Sequence, residues 1–592
     1  MRQSDGRHDQ LECGMASLLS ELRRRNVVKV CLAYLATAWL LLQVADTVLS
    51  AFGSPAWVLQ ALIVVFALGL PAAVGLAWVF EITPHGVMKT DEIPAAERVG
   101  WHKSRKLDFA IIALLALALV AVVIDQYVIE PPSATSMSRL AVLPLSNQSG
   151  NPDQQYFADG MTEALITNLA GVSALRVVPR TSVMRFSGSE RSLPAIAAEL
   201  GVDAIVSGSV ERNGDQIRVL VQLIDARKNE LIWGHAIESG FVDVFLVQSQ
   251  LAQAIAREAN IAITPQEESR IAQAGEASAD GYDEYLRGMQ YFYRLTPSDL
   301  ETALRHFDLA LEQNPDSPLP HSGVAATWIG LQQMGFVRSS EATPKAEAAA
   351  LRALELDDQL AQPHLWLAIV RAWSDWNWDE AEALFLRAIE LNPSYADVRG
   401  SYGHLLAVNG RFEEAFEQIE IGLELDPFNP WIRGQYGVVY HMTGRYEEAI
   451  GTFHEALRIA PGLPFVWLVL AGSYHQTGQE QKAVDAEGSL LAALGHTEAQ
   501  LSLRQTYAEQ GYEVAMTSIA DWWANVSDTS GTLGWWAAYR YAHTDHDERT
   551  IEWLQRAYEQ RDPNLPFLRF PEYEHLYDDP RMRDLMQQTG TF

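Results

Sequence analysis

Between Trp378 and Gly478 the chain repeats itself every 34 residues, and this period constrains the fold more than any other feature. Pro393, Pro427 and Pro461 keep the step, as do Ala381, Ala415 and Ala449. Ala388, Gly422 and Ala456 follow it, with Gly403 and Gly437, and Gly410, Gly444 and Gly478. GRFEEAFEQIEIGLELDP and GRYEEAIGTFHEALRIAP are two successive copies. Small residues recur where two helices must touch, an aromatic recurs in the second helix, and proline marks the turn between units. Such a unit cannot bury its apolar face alone, so copies must stack into a continuous core. An earlier copy ends at Asn314-Pro315, a degenerate one at LRALELDD, and a further one starts near Leu463 with Ala483 in register. About six helix pairs are expected over residues 280–496. The helical pattern continues through a closing region over 497–592, where a cap against the last open unit is expected.

This pattern resembles the tetratricopeptide repeat. The resemblance implies a superhelix that binds peptides on its concave face, lined by the first helix of each repeat. By that resemblance the groove positions are Trp366, Trp373, His404, Trp431, His441, Met442 and His475. His441 and His475 lie one repeat apart and would line up along the groove. The competing expectation for each is plain packing between helices, since aromatics fill cores more often than sites. The regular Lys/Asn set of carboxylate-clamp repeats is missing, which disfavours a peptide bound through its C-terminal carboxylate.

Three apolar blocks precede the repeats. VCLAYLATAWLLLQVADTVL follows Lys29, and Ala56–Phe80 carries no charge. The third, Phe109–Ile124, spans 16 residues and is extended by Asp125 to Ile129. The first two are long enough for a hydrocarbon core of about 30 Å at about 1.5 Å per residue. The positive-inside rule places Arg23, Arg24, Arg25 and Lys29 in the cytoplasm, with Lys89, Arg98, Lys103, Arg105 and Lys106. The resulting expectation is a cytoplasmic N-terminus (1–26), a transmembrane hairpin (27–80), a basic cytoplasmic loop (81–108) and a third transmembrane helix (109–129). A linker (130–137) follows. Everything beyond would lie outside the cytoplasm, on a multi-pass protein of the bacterial inner membrane. Basic and acidic residues balance through Tyr127, so the net charge of −31 falls entirely on the rest. Such a surface repels phosphate backbones, and nucleic acid is excluded as a partner.

Residues 138–265 read as an α/β domain. RLAVLPLSN is a buried strand, and DQQYFADGMTEALITNLAGV carries apolar residues at helical spacing. LPAIAAELGV is a helix with Gly201 as its C-cap. Ile217, Val219, Val221 and Leu223 alternate with polar residues after the hairpin signal Asn213-Gly214. AVLPLSNQSGNPDQQYFADGMTEALITNLAGV, RVVPRTS, AAELGVDAIVSGSV and RVLVQLIDARKNELIWG together resemble the TolB N-terminal-like domain, related to FlgO and CsgG. The resemblance implies an envelope-associated binding or assembly domain and brings no catalytic residue with it. Relatives of this kind sometimes carry a winged helix or a nucleotide cyclase domain.

Little argues for chemistry. The two cysteines, Cys13 and Cys31, sit upstream, and no CxxC occurs. GxxxxGK, GxGxxG, HExxH and GxSxG are absent. HTDHDE at His543–Glu548 reads as a solvated helix start capped by Thr544 or Asp545 rather than a metal site. The expected fold is therefore multidomain: three transmembrane helices, an α/β domain and an all-α repeat solenoid. The expected function is a non-enzymatic membrane-anchored scaffold, without cofactor or metal, that binds a protein or peptide partner for envelope assembly. The alternative is a transmembrane signal transducer.

Overall fold

The computed structural model describes residues 34–39, 41–43, 62, 65–66, 69–71, 80–83, 86–89, 137–275, 277–544 and 546–591. The chain divides into two compact units, 1–132 and 133–592. In the first, short helical stretches are described within the first two apolar blocks, and the Tyr34 hydroxyl donates to the Phe66 carbonyl at 2.9 Å. Strands β1 (Phe80–Thr83) and β2 (Gly86–Lys89) pair antiparallel, with Thr83 opposite Gly86.

The three-span expectation is corrected here, and with it the multi-pass inner-membrane placement. Among the described residues, no helix is long and apolar enough to cross a membrane. Phe80, expected as the last residue of a span, is instead the first residue of an extended strand. The third block, 109–129, lies outside the described residues.

The second unit begins with the α/β domain. Its elements are β3 (Arg139–Val142), β4 (Ser146–Asn147), α1 (Gln155–Ala170), β5 (Arg176–Val177), α2 (Arg180–Val183), α3 (Leu193–Leu200), β6 (Ala204–Asn213), β7 (Gln216–Asp225), β8 (Glu230–Gly240) and α4 (Val244–Glu258). The sheet order is β5-β3-β6-β7-β8, with β4 also on β6. β3 pairs parallel with β5 and β6, and β6-β7-β8 form an antiparallel meander. Asn213-Gly214 makes the β6–β7 turn, with Asn213 opposite Gln216. Ile217, Val219, Val221 and Leu223 are buried, whereas Gln216, Arg218 and Leu220 are exposed. That alternation is the period-2 signature of a strand with one covered face. α1 and α4 supply the cover through Phe157, Met161, Leu165, Leu251 and Ile255. Gly201 ends α3 at φ 65°, a left-handed cap that glycine adopts without strain.

After α5 (Pro265–Ala274) the chain is a run of helical hairpins. The pairs are α6 (Tyr282–Phe292) with α7 (Pro297–Gln313), α8 (Pro318–Gln333) with α9 (Ser339–Leu356), and α10 (Ala361–Val370) with α11 (Trp378–Leu391). Then come α12 (Ala396–Val408) with α13 (Phe412–Leu425), α14 (Pro430–Met442) with α15 (Tyr446–Ile459), and α16 (Pro464–Gln476) with α17 (Glu480–Ala493). α18 (Thr497–Gln510) with α19 (Tyr512–Ser530), and α20 (Gly534–Ala542) with α21 (Asp547–Gln560), extend the pattern into the closing region. Two short 3₁₀ turns (Leu565–Arg569 and Pro571–Leu576) lead to α22 (Pro580–Thr589).

The 34-residue period has a direct packing cause. Phe453 of α15 is fully buried against Gly437 of α14, where an added Cβ would lie 2.4 Å from its ring. One repeat earlier Ile419 meets Gly403 in the same way, and in the first hairpins Phe307 fits between Gly288 and Gly323. The glycine on the first helix admits the large side chain of the second.

The solenoid also closes on itself. The α8–α9 loop reaches the far end of the array, where Arg338 Nε donates to the Ser530 carbonyl (2.7 Å) and Ser339 Oγ to the Arg561 carbonyl (2.8 Å). Thr532 Oγ1 donates to the Gly335 carbonyl (3.1 Å), and the Trp376 and Tyr558 rings stack at 5.1 Å.

Gly437→Ala should lower the urea midpoint, with a loss of about 1–3 kcal/mol from overpacking against Phe453 that exceeds the roughly 1 kcal/mol gained in helix propensity. A raised midpoint would show that the ring yields.

Candidate functional site

Side chains from four first helices, α12, α14, α16 and α20, converge on the chain's own C-terminal segment. Phe567 packs on His404 of α12 (ring centroids 5.0 Å), Phe465 of α16 (5.4 Å) and Trp535 of α20 (5.7 Å). Phe570 packs on His441 of α14 (5.1 Å), Trp535 (5.7 Å) and Tyr539 of α20 (5.6 Å). Leu568, Phe570 and Tyr573 are wholly buried. Farther along, Trp378 Nε1 donates to the Thr589 carbonyl at 2.9 Å.

Glu572 sits at the centre, with 1% of its side chain exposed. It accepts from His441 Nε2 (3.1 Å to Oε1) and from the Tyr539 hydroxyl (3.1 Å), and His543 Nε2 stands 3.5 Å away. Burial opposes its charge, but His441 and His543 prevail and hold the carboxyl well below the usual range. On its other side, His441 Nδ1 lies 2.9 Å from Ser473 Oγ, whose own proton goes to the Val469 carbonyl. Both imidazole nitrogens of His441 therefore face acceptors.

The seven groove positions expected from the sequence divide accordingly. His404 and His441 are buried beneath the C-terminal segment. Trp373 is partly buried and meets His404 edge-on at 5.4 Å. His475 stacks on His543 at 4.4 Å, and Tyr512 lies 2.9 Å from its Nδ1. Burial pushes both His404 and His475 down to about 3, so both are neutral near pH 7. Met442 is buried in the solenoid core. Trp366 packs against the α8–α9 side, among Ala325, Ile329 and Ala350. Trp431 is 39% exposed, away from the cluster.

Sequence reasoning missed Phe567, Phe570, Glu572, Trp535, Tyr539 and His543. The signal was PNLPFLRFPEYEHLY, where Pro563, Pro566 and Pro571 forbid a long helix while aromatics recur. The expectation for HTDHDE is also corrected. α21 starts after His546, with no side-chain cap, and His543 is turned inward toward Glu572. Asp545 lies outside the described residues. Among the described residues, no group of three or more His, Cys, Asp or Glu could hold a metal ion.

A second cluster joins the α/β domain to the repeats. Equivalent turns of two successive repeats dock it. Ser394 Oγ donates to the Leu175 carbonyl (3.2 Å) and accepts from the Val177 amide (3.3 Å). One period on, Ser182 Oγ donates to Asp426, and the Phe428 amide donates to Ser182 Oγ (3.3 Å). Arg139 and Arg270 donate to the Glu424 and Leu391 carbonyls (both 3.2 Å), and the Arg185 guanidinium lies 4.0 Å from the Phe428 ring centre. Asp426 is fully buried. Burial pushes its carboxyl up to about 7, against the hydrogen bond from Ser182 and with help from the neighbouring Asp397.

Against known proteins, residues 136–256 match the family model for the second domain of HilA/YgeH-like transcriptional regulators. Residues 370–430 and 435–458 match tetratricopeptide repeat models. The C-terminal region is thus a tetratricopeptide repeat array. The chain is 32% identical over 257 residues to "Putative adenylate cyclase 3" of Rhizobium meliloti, covering 43% of each protein. It is 25% identical over 297 residues to "Transcriptional regulator HilA" of Salmonella typhimurium, covering 49% of this chain and 52% of that one. The chain therefore spans about half the length of the curated relatives it matches. Among solved structures it resembles a thermophilic tetratricopeptide repeat protein of Thermus thermophilus (21% identity, 33% of this chain and 98% of that one, TM-score 0.28). It also resembles PilW, a type IV pilus biogenesis factor (18% identity, 38% of this chain and 96% of that one, TM-score 0.30).

A carboxyl whose folded pKa is raised contributes stability below its unfolded value near 4, and that contribution is lost as pH rises toward 7. Asp426→Asn should therefore gain on the wild type between pH 4 and 7, by about 1.4 kcal/mol per pH unit at most. Urea midpoints of the two chains across that range check it, and parallel curves would place the titration elsewhere.

Proposed function

We propose that this chain is a non-enzymatic protein-binding scaffold in which the concave repeat face takes a protein or peptide partner. The observation that carries the reading is the lining of that face. His404, His441, Phe465, Trp535 and Tyr539 come from four different first helices and converge on one extended segment of chain. Aromatic and imidazole side chains offer large apolar area with polar edges at little entropic cost, a good composition for gripping a peptide. The α/β domain, tied to two adjacent repeat turns, is a fixed flank of this surface.

A regulatory setting is favoured by the relatives, since one is named an adenylate cyclase and another a transcriptional regulator. A shared body beside differing outputs suits a module that receives a signal by binding protein.

Two measurements test the proposal. The purified chain incubated with ATP and divalent metal should form no cyclic AMP, and steady formation would overturn the non-enzymatic reading. Peptides selected from a display library on the full chain should lose about tenfold in affinity on Trp373→Ala, the scale of an interface aromatic, with circular dichroism establishing that the variant folds. Selected peptides indifferent to Trp373 and His404 would place binding off the concave face.

A further inference from the structure

The stretch Phe567–Leu576 touches the repeats as a bound peptide would. It belongs to none of the helical hairpins, and its prolines hold it in two short 3₁₀ turns joined at Phe570. Three of its side chains enter three separate environments. Phe567 enters a slot of His404, Phe465 and Trp535. Phe570 enters one of His441, Trp535 and Tyr539. Glu572 meets His441, Tyr539 and His543. The hosts come from α12, α14, α16 and α20, so the segment bridges four hairpins. It leaves α21 at Arg561, a non-glycine residue at φ 53°, followed at once by Asp562-Pro563. Arg561 is the left-handed C-cap of α21 and turns the chain out of the hairpin.

We propose that Phe567–Leu576 is an intramolecular ligand of the concave face. The external partner it competes with is an extended peptide bearing two aromatic residues three apart and a carboxylate two residues beyond the second. This rests on the reading of the concave face as a protein-binding groove, and adds the chemistry of the occupant and its regulation. The carboxylate is the discriminating element. A peptide without it leaves His441 and the Tyr539 hydroxyl facing an apolar plug, and a buried polar group left unpaired is rejected strongly. The tether gives the resident segment an effective concentration in the millimolar range. An outside peptide therefore binds only to the extent that the resident has left, and weakening the resident raises apparent affinity in proportion.

The test uses the full chain and a labelled 15-residue peptide copying Pro563–Tyr577, followed by fluorescence anisotropy. Phe570→Ala in the chain should raise affinity for the copy peptide by at least about tenfold over wild type. Glu572→Gln, which keeps the side-chain shape, should raise it less. A scrambled peptide, and a copy carrying Glu572→Lys, should bind neither variant. Circular dichroism establishes folding, and if Phe570→Ala does not fold, Glu572→Gln carries the comparison. If neither folds, the segment is core rather than ligand and the proposal is overturned. It is also overturned if the wild type binds the copy as tightly as the variants. Folded variants that bind scrambled and copy peptides equally would sink the stated chemistry while leaving the groove reading intact. Folded variants that bind no peptide would sink both.

Discussion

The buried carboxylate of Glu572 is the interaction on which the architecture of the concave face depends. It links three parts of the chain that are distant in sequence: His441 in α14, Tyr539 and His543 in and just after α20, and the C-terminal segment itself. A charge this deep costs several kcal/mol to desolvate unless every lone pair is met, and deleting one partner of such a pair typically costs about 3–5 kcal/mol. The arrangement is therefore selective more than it is stabilising. It fixes which residue of the segment lies between α14 and α20, and so fixes the register that puts Phe567 and Phe570 into their slots.

A different logic governs the surface where the α/β domain meets the repeats. Ser394 and Phe428 are equivalent positions one period apart, and both contribute to that contact. A repeat array offers the same turn at regular intervals, and the α/β domain reads two of them at once. Asp426, closed off from water there, favours its protonated form. Glu572 favours its ionised form. The two buried acids thus respond oppositely to pH. Protonating Glu572 would remove the charge that His441 and His543 hold, and ionising Asp426 would put a charge into a contact closed off from water.

Much of this fold was legible in the sequence because it obeys local rules. The 34-residue step exposed the glycine-to-aromatic packing at Gly437 and Phe453, since each repeat solves the same steric problem with the same residues. The alternation of Ile217 to Leu223 marked a one-sided strand. What was not legible was non-periodic. Nothing in the repeat register says that residues 565–576, which pack on the last hairpin through Trp535 and Tyr539, also reach α12, α14 and α16. The same gap explains the split among the groove positions. Repeat register places Trp431 and Trp366 beside His404 and His441, but it carries no information on which side chain a later segment will cover. Apolar content misled in another way. Hydropathy alone extended the second block through Phe80, where the backbone is a paired strand.

The closed array also narrows how a partner can act. In an open superhelix, ligand binding can be accommodated by winding or unwinding the solenoid. Here the α8–α9 loop is hydrogen-bonded to Ser530 and Arg561 near the other end. Opening the curve would break those bonds and expose the Trp376–Tyr558 stack. The hairpins thus form a frame tied between α8–α9 and the last two hairpins by these bonds. Within such a frame the piece that can exchange without repacking the hairpins is the segment that belongs to none of them. The α/β domain meets the repeats at the inter-repeat turns, through Ser394 and Asp426, and also at α6, where the Tyr156 hydroxyl donates to Asp283 and Arg287 donates to Tyr156, so two separate contacts connect the domain to the array.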